Sequence, residues 1–262
     1  MSRATTDRAL QDHVIRALAD APYRASPEWR RRELADPGRV ERYARFLARH
    51  FYFERIVQFF KYSRALARVT GRRPEAVLQS PAFELLLPGI VLGSRASAAA
   101  VAHVVVAHVA ASQEAASVPY LPDLLRYEEA MMVAEAGPRV WRDSDGVEGV
   151  GSGERDRPET VAGTVLLDLE FDLPAVLSRL LQPWTEVPQA PERPTRLLVA
   201  GSPHGRVAVA RGDDRMAALI QLADGTRSVA EVAAGAGLEV AAAQETLRGL
   251  VELGAVRFST GS

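Results

Sequence analysis

Few side chains in this 262-residue chain are typed and spaced for chemistry of their own. There is no cysteine, which removes disulfides, Cys-ligated zinc, iron–sulfur clusters and a thiol nucleophile together. His103 and His108 stand five apart on an expected helix, so their rings point roughly 140° from each other. A helical metal pair needs i, i+4 on one face, and His13, His50 and His204 have no neighbour at ligand spacing. These are expected to be ordinary, partly buried histidines, with no metal site owned by the chain. Gly149, Gly151 and Gly153 have no strand before them and no helix after them, the context a phosphate cradle requires. The paired carboxylates Glu128–Glu129 and Asp143/Asp145 read as solvated helix surface and loop, since no feature supports acid–base work.

Stepping from these groups to the whole chain, 32 basic and 33 acidic residues leave a net charge of −1, which argues against a protein built around nucleic acid. Charge is unevenly spread. Residues 1–75 carry 17 basic and 9 acidic side chains, interleaved with Tyr43, Phe46, Phe51, Tyr52, Phe53, Phe59, Phe60 and Tyr62. This pattern fits either a nucleic-acid groove with stacking platforms or a helix with an aromatic core face and an arginine face for an acidic partner. Helical spacing of the aromatics favours the second and predicts their burial. No signal peptide is visible, and the most apolar stretch, Ala96–Ala111, is shorter than the roughly 20 residues a membrane span needs. A cytoplasmic protein with no membrane contact is expected.

The elements that must position these groups begin as helices. Residues 5–20 have helical periodicity, and Asp36-Pro37 reads as an N-cap with proline at the first helical position. The helix that follows runs toward Gly71, and its length predicts a kink or turn near Arg49–Phe53. Short helices from Pro74 and Pro81, a helix over 95–111 and one entered at Asp123 complete a helical domain over 1–141. Residues 142–163 read as a mobile loop or linker. A strand at 164–171, a helix capped by Asp172-Leu173-Pro174 and a proline-rich connection complete the segment 142–194.

Residues 195–262 form the clearest block. A hairpin of 196–200 and 206–210 precedes three helices, the second headed by the capping box Ser228-x-x-Glu231, and a last strand at 255–258. The order predicts a winged-helix-like domain. Its third helix, 239–253, holds three Glu and one Arg, so it would approach a phosphate backbone with net repulsion. Peptide capture needs no such charge, because an extended peptide can add a strand to an open sheet edge. The expected edge is 206–210, on the reasoning that 196–200 pairs on its other side with 255–258. The expected peptide-binding residues are Arg206, Val207, Ala208, Val209 and Arg211 on that strand, and Leu247, Arg248 and Val251 on the third helix.

Three segments resemble a known family. Tyr120 to Ala130 (YLPDLLRYEEA), LLVAGSPHGRVAV at 197–209 and LIQLADGTRSVAEVA at 219–233 are similar to segments of the accessory subunits of multinuclear non-haem iron oxidases that modify ribosomal peptides, among them the methanobactin and thiaglutamate partner proteins. The resemblance implies a mainly α protein with a small α+β C-terminal domain for peptide recognition. It implies a non-catalytic subunit that holds no cofactor, binds the iron oxidase and presents cysteines of a precursor peptide to it. Two other readings stay open: a winged-helix transcriptional regulator with a helical sensor domain, and an enzyme using unrecognised carboxylates.

Overall fold

The computed structural model describes residues 3–32, 36–137, 156–202 and 205–260. The chain divides into two compact units, Met1–Leu121 and Pro122–Ser262. It is mainly helical, with a small strand-containing part toward the C-terminus.

The first unit is helical. Its elements are α1 (Arg3–Ala19), α2 (Ala21–Ala25), α3 (Pro27–Arg30), α4 (Pro37–Phe59), α5 (Lys61–Ala65), α6 (Ala67–Thr70), α7 (Pro81–Leu86) and α8 (Arg95–Ala110). Local chemistry sets the starts. The side chains of Asp36, Ser80 and Ser94 each accept a backbone N–H of the turn they open, and proline occupies the first turn of α4 and α7. Gly71 ends α6 at φ 69°, a left-handed conformation that glycine adopts without steric cost. No turn interrupts α4 near Arg49–Phe53. Ala44, Ala48, Tyr52, Ile56 and Phe59 form one buried stripe along a continuous α4, with no Gly or Pro to interrupt it, and the break falls at Phe60. Tyr52 lies fully enclosed and edge-on to Phe83, and burial pushes its hydroxyl up to about 12.

The second unit contains α9 (Leu121–Glu135), β1 (Asp156–Thr160), β2 (Val165–Leu169), α10 (Pro174–Leu180), β3 (Thr195–Gly201), β4 (Val207–Arg211), α11 (Asp214–Leu222), α12 (Val229–Gly235), α13 (Val240–Glu252) and β5 (Val256–Thr260). Strands β2, β3 and β4 form an antiparallel sheet in that order, so β3 is central. The second sheet pairs β1 with β5. Two expectations are corrected. The stretch read as linker contains a strand, β1, followed by a turn at 161–163, while 142–155 lie outside the described residues. The closing strand pairs with β1 and not with the hairpin: Pro158 faces Phe258 and Thr160 faces Val256.

Helices α11, α12 and α13 close a core of Leu219, Ala223, Val232, Ala233, Ala243, Leu247 and Leu250 against Leu198 and Ala200 of β3 and Val256 of β5. The Asp213 side chain caps the start of α11, and the full Ser228–Glu231 capping box fixes the start of α12 as the sequence predicts.

Candidate functional site

Strand β4 is the outer strand of its sheet, with no further strand among the described residues on its far side. The ladder with β3 determines which backbone groups are left over. Ser202 N–H donates to the carbonyl of Arg206 at 2.6 Å, and Gly212 N–H to the carbonyl of Arg196 at 2.9 Å. Bonded and non-bonded pairs alternate in an antiparallel ladder. Between those two bonded pairs, Ala200–Ala208 and Leu198–Ala210 are therefore bonded as well. Val207, Val209 and Arg211 sit in the non-bonded pairs, so their N–H and C=O groups turn to the outer edge.

The two faces of the edge differ because side chains alternate along a strand. Ala208 and Ala210 lie on the face of Leu198 and Ala200, toward the three-helix core. That core takes in Leu166 of β2 and both β3 residues but neither β4 alanine, and these remain partly exposed. Val207, Val209 and Arg211 lie on the opposite face with Leu197, Val199 and Gly201. Val209 is 39% exposed, whereas Val199, its partner across the ladder, is fully buried. Helix α9 approaches this second face so closely that a Cβ on Gly201 would stand 2.8 Å from the carbonyl oxygen of Ala134.

The remaining predicted residues do not all reach the edge. Arg206 is exposed at the entry to β4, and Arg248 is exposed on α13. Val251 is half-buried against the helical core. Leu247 lies wholly inside that core with 0% exposure, and so does Leu250. Leu247 was expected to contact a peptide beside β4; instead both leucines hold α13 to α11 and α12, and neither presents a surface to a peptide in this structure.

Arg211 has a different partner from the one expected. It donates to the carboxylate of Asp172 at 2.8 Å, and Arg193 donates to the other oxygen of the same carboxylate. Burial works to raise the Asp172 pKa, but the two guanidinium hydrogen bonds and charges outweigh it and hold the carboxyl below the ordinary range. Asp172 was expected to cap the helix that follows. Only its carbonyl does so, accepting from Ala175 N–H, while its side chain ties the end of β4 to the proline-rich connection. Asp123 behaves similarly: its carboxylate leaves its own helix and accepts the N–H groups of Glu170 and Phe171 at 2.7 and 3.0 Å, just beyond β2. Sequence reading missed both roles, because each depends on a partner 20 or more residues away in the chain.

Glu128, expected at a solvated surface, is fully buried, and α9 is enclosed over most of its circumference. His103 is exposed, and His108 is half-buried, its pKa lowered by burial and by the charge of Arg72. His13 shares a hydrogen bond of 2.6 Å with the Tyr23 hydroxyl. His204, Asp143, Asp145 and Gly149 to Gly153 lie outside the described residues. Among the described residues no group of three or more His, Asp or Glu side chains is placed to hold a metal ion. No helix among them is long and apolar enough to cross a membrane.

No protein-family model matches the chain, and no curated protein matches it.

Proposed function

We propose that this chain is a non-catalytic subunit that captures a ribosomal precursor peptide along β4 and presents its cysteines to a partner multinuclear non-haem iron oxidase. The iron belongs to that partner, and this chain contributes no catalytic residue, no cofactor and no nucleic-acid contact. The observation that carries the reading is the edge of β4. At every second position along the strand, Val207, Val209 and Arg211 offer outward backbone donors and acceptors that no strand among the described residues takes up, beside a helical core that stops short of the strand. The resemblance of 120–130, 197–209 and 219–233 to the accessory-subunit family supplies the identity of peptide and partner.

The charge distribution favours peptide over duplex. Residues 195–262 hold seven Arg and seven acidic residues, and α13 keeps Glu245 and Glu252 exposed. Arg206 and Arg248 are free to meet acidic residues of a leader segment, each contact contributing about 1 kcal/mol at these exposed positions.

The test is fluorescence anisotropy with the labelled leader segment of a cysteine-containing ribosomal precursor peptide. Val207→Pro and Val209→Pro each remove one outward donor while leaving the β3–β4 ladder bonds in place. Both are expected to weaken peptide binding by about tenfold, corresponding to one lost hydrogen bond in a shielded ladder. Retention by the iron oxidase on co-expression should be unchanged. Parental affinity in both variants would overturn strand addition at β4.

A further inference from the structure

Arg211 is the one charged residue of β4, and it stands at the end of the face it shares with Val207 and Val209. Its guanidinium is held in place from below. The Asp172 carboxylate, 2% exposed, takes one terminal nitrogen of Arg211 on one oxygen and one of Arg193 on the other, while the two arginine side chains remain 55% and 65% exposed. Each guanidinium therefore keeps further N–H groups for a second acceptor. Two cations on one anion leave a positive charge here. Among the described residues neither guanidinium pairs with another carboxylate, and Glu192, next to Arg193 in sequence, pairs with neither. Immobilising a long side chain normally costs rotamer entropy on binding; the buried carboxylate has already fixed these two. Arg206, at the opposite end of the strand, is a single exposed guanidinium with no ion-pair partner among the described residues to fix it.

An antiparallel strand added to β4 continues the pattern of its sheet and bonds to the outward groups of Val207, Val209 and Arg211. The residue directly across from each stands on the same face, with Cβ atoms about 4.5–5.5 Å apart. Across from the half-buried Val207 and the exposed Val209, an apolar side chain covers aliphatic surface. Across from Arg211, a carboxylate meets the two guanidiniums, and a lysine or arginine is repelled. The added strand runs from the Arg211 end toward Val207, so these demands read, from N- to C-terminus, acidic-x-apolar-x-apolar.

We propose that the edge of β4 selects peptide segments of the form acidic-x-apolar-x-apolar, with the acidic side chain held by Arg211 and Arg193. The proposal rests on strand capture at β4 and adds a direction and a register to it.

The test uses three labelled peptides of about nine residues. One has Glu-Thr-Val-Thr-Val at its centre, one has Gln in place of that Glu, and one has the reversed order Val-Thr-Val-Thr-Glu; Ser and Thr fill the ends. In fluorescence anisotropy with the full-length chain, the first is expected to bind with a Kd about fivefold or more below the other two. Arg211→Gln and Arg193→Gln should each shrink the preference for Glu over Gln, the former to less than about twofold, while the Gln peptide keeps its parental Kd because the edge itself is intact. Val209→Pro should weaken all three peptides. Equal affinity for the Glu and Gln peptides, tighter binding of the reversed peptide, or a Glu preference that survives both arginine variants overturns the proposal and leaves strand capture standing, provided Val209→Pro weakens binding. Affinities unchanged by Val209→Pro, or no binding of any peptide, overturn strand capture and the proposal together.

Discussion

Strands β3 and β4 are neighbours in one hairpin with similar sequences, LLVA and VAVA, yet they have opposite fates. Leu197, Leu198, Val199 and Ala200 of β3 are all buried, because the three-helix core covers one face and both edges are paired. On β4, Val207, Ala208 and Ala210 are only half-buried, and Val209 is exposed. Alternation within β4 places small alanines toward the helical core and valines on the other face. The difference teaches that hydrophobic β-branched residues alone do not mark an inner strand. What separates β3 from β4 is coverage, and coverage depends on elements distant in sequence.

Core truncation should separate the two strands by the largest margin. Leu198→Ala should lower unfolding free energy by about 2–5 kcal/mol in urea titration, the range for a fully buried leucine whose site cannot collapse. Val209→Ala, one register position away on the neighbouring strand, should cost less than about 1 kcal/mol, because much of its side chain is already in water. Equal losses would mean that β4 is covered to the same extent as β3.

Gly201→Ala should cost about 1–3 kcal/mol, since the new methyl would meet the Ala134 carbonyl at 2.8 Å and backbone must move. Thermal melting of this variant measures how tightly α9 presses on the end of β3.

A smaller effect is expected at Asp172. Asp172→Asn weakens two charge-assisted hydrogen bonds, but both guanidiniums stand more than half in solvent, so the loss should be about 1–2 kcal/mol at neutral pH. The folded-state pKa lies below the unfolded value, so this contribution is fully present above the ordinary aspartate range of about 4. It fades as pH falls through the lower folded value. Stability curves of parent and variant should therefore converge below about pH 4. A gap that persists unchanged to low pH would show that the carboxylate charge is not what holds the end of β4.

The smallest expected change is at α4. Phe46→Glu should alter stability by less than about 0.5 kcal/mol, because the ring is 59% exposed and stacks on the surface rings of Tyr43 and His50. A larger loss would mean that the outward face of α4 already contributes to the folded unit.

Local signals were legible in the sequence. Asp36-Pro37, Ser80-Pro81, Asp213 and Ser228-x-x-Glu231 mark helix starts that the structure reproduces, since an N-cap is decided by residues within one turn. The two strands of the hairpin were also legible from their turn and their β-branched residues. Long-range pairing was not. The partner of β5 is β1, which opens on Asp156-Arg157-Pro158-Glu159, a charged stretch with no strand-like alternation. Proline tolerates this position because β1 lies in a two-stranded ribbon. Aromatic periodicity on α4 was read as one buried face, although positions 43, 46, 50 and 53 fall opposite positions 44, 48, 52 and 56. Periodicity identifies a helix with apolar faces; it does not say how many of them the chain itself covers. Leu247 failed as a peptide-contacting residue for the converse reason, because it turns into the same core as Ala243, four residues before it, and Leu250, three after it.

Amide hydrogen exchange, followed residue by residue with and without the labelled leader peptide, tests the central claim most directly. In the free chain Ala208 and Ala210 should be protected by the β3 ladder, while Val207, Val209 and Arg211 exchange quickly. With peptide bound, those three amides should become protected together, and the two alanines should change little. Peptide binding that leaves Val207, Val209 and Arg211 exchanging as before would contradict strand capture at this edge.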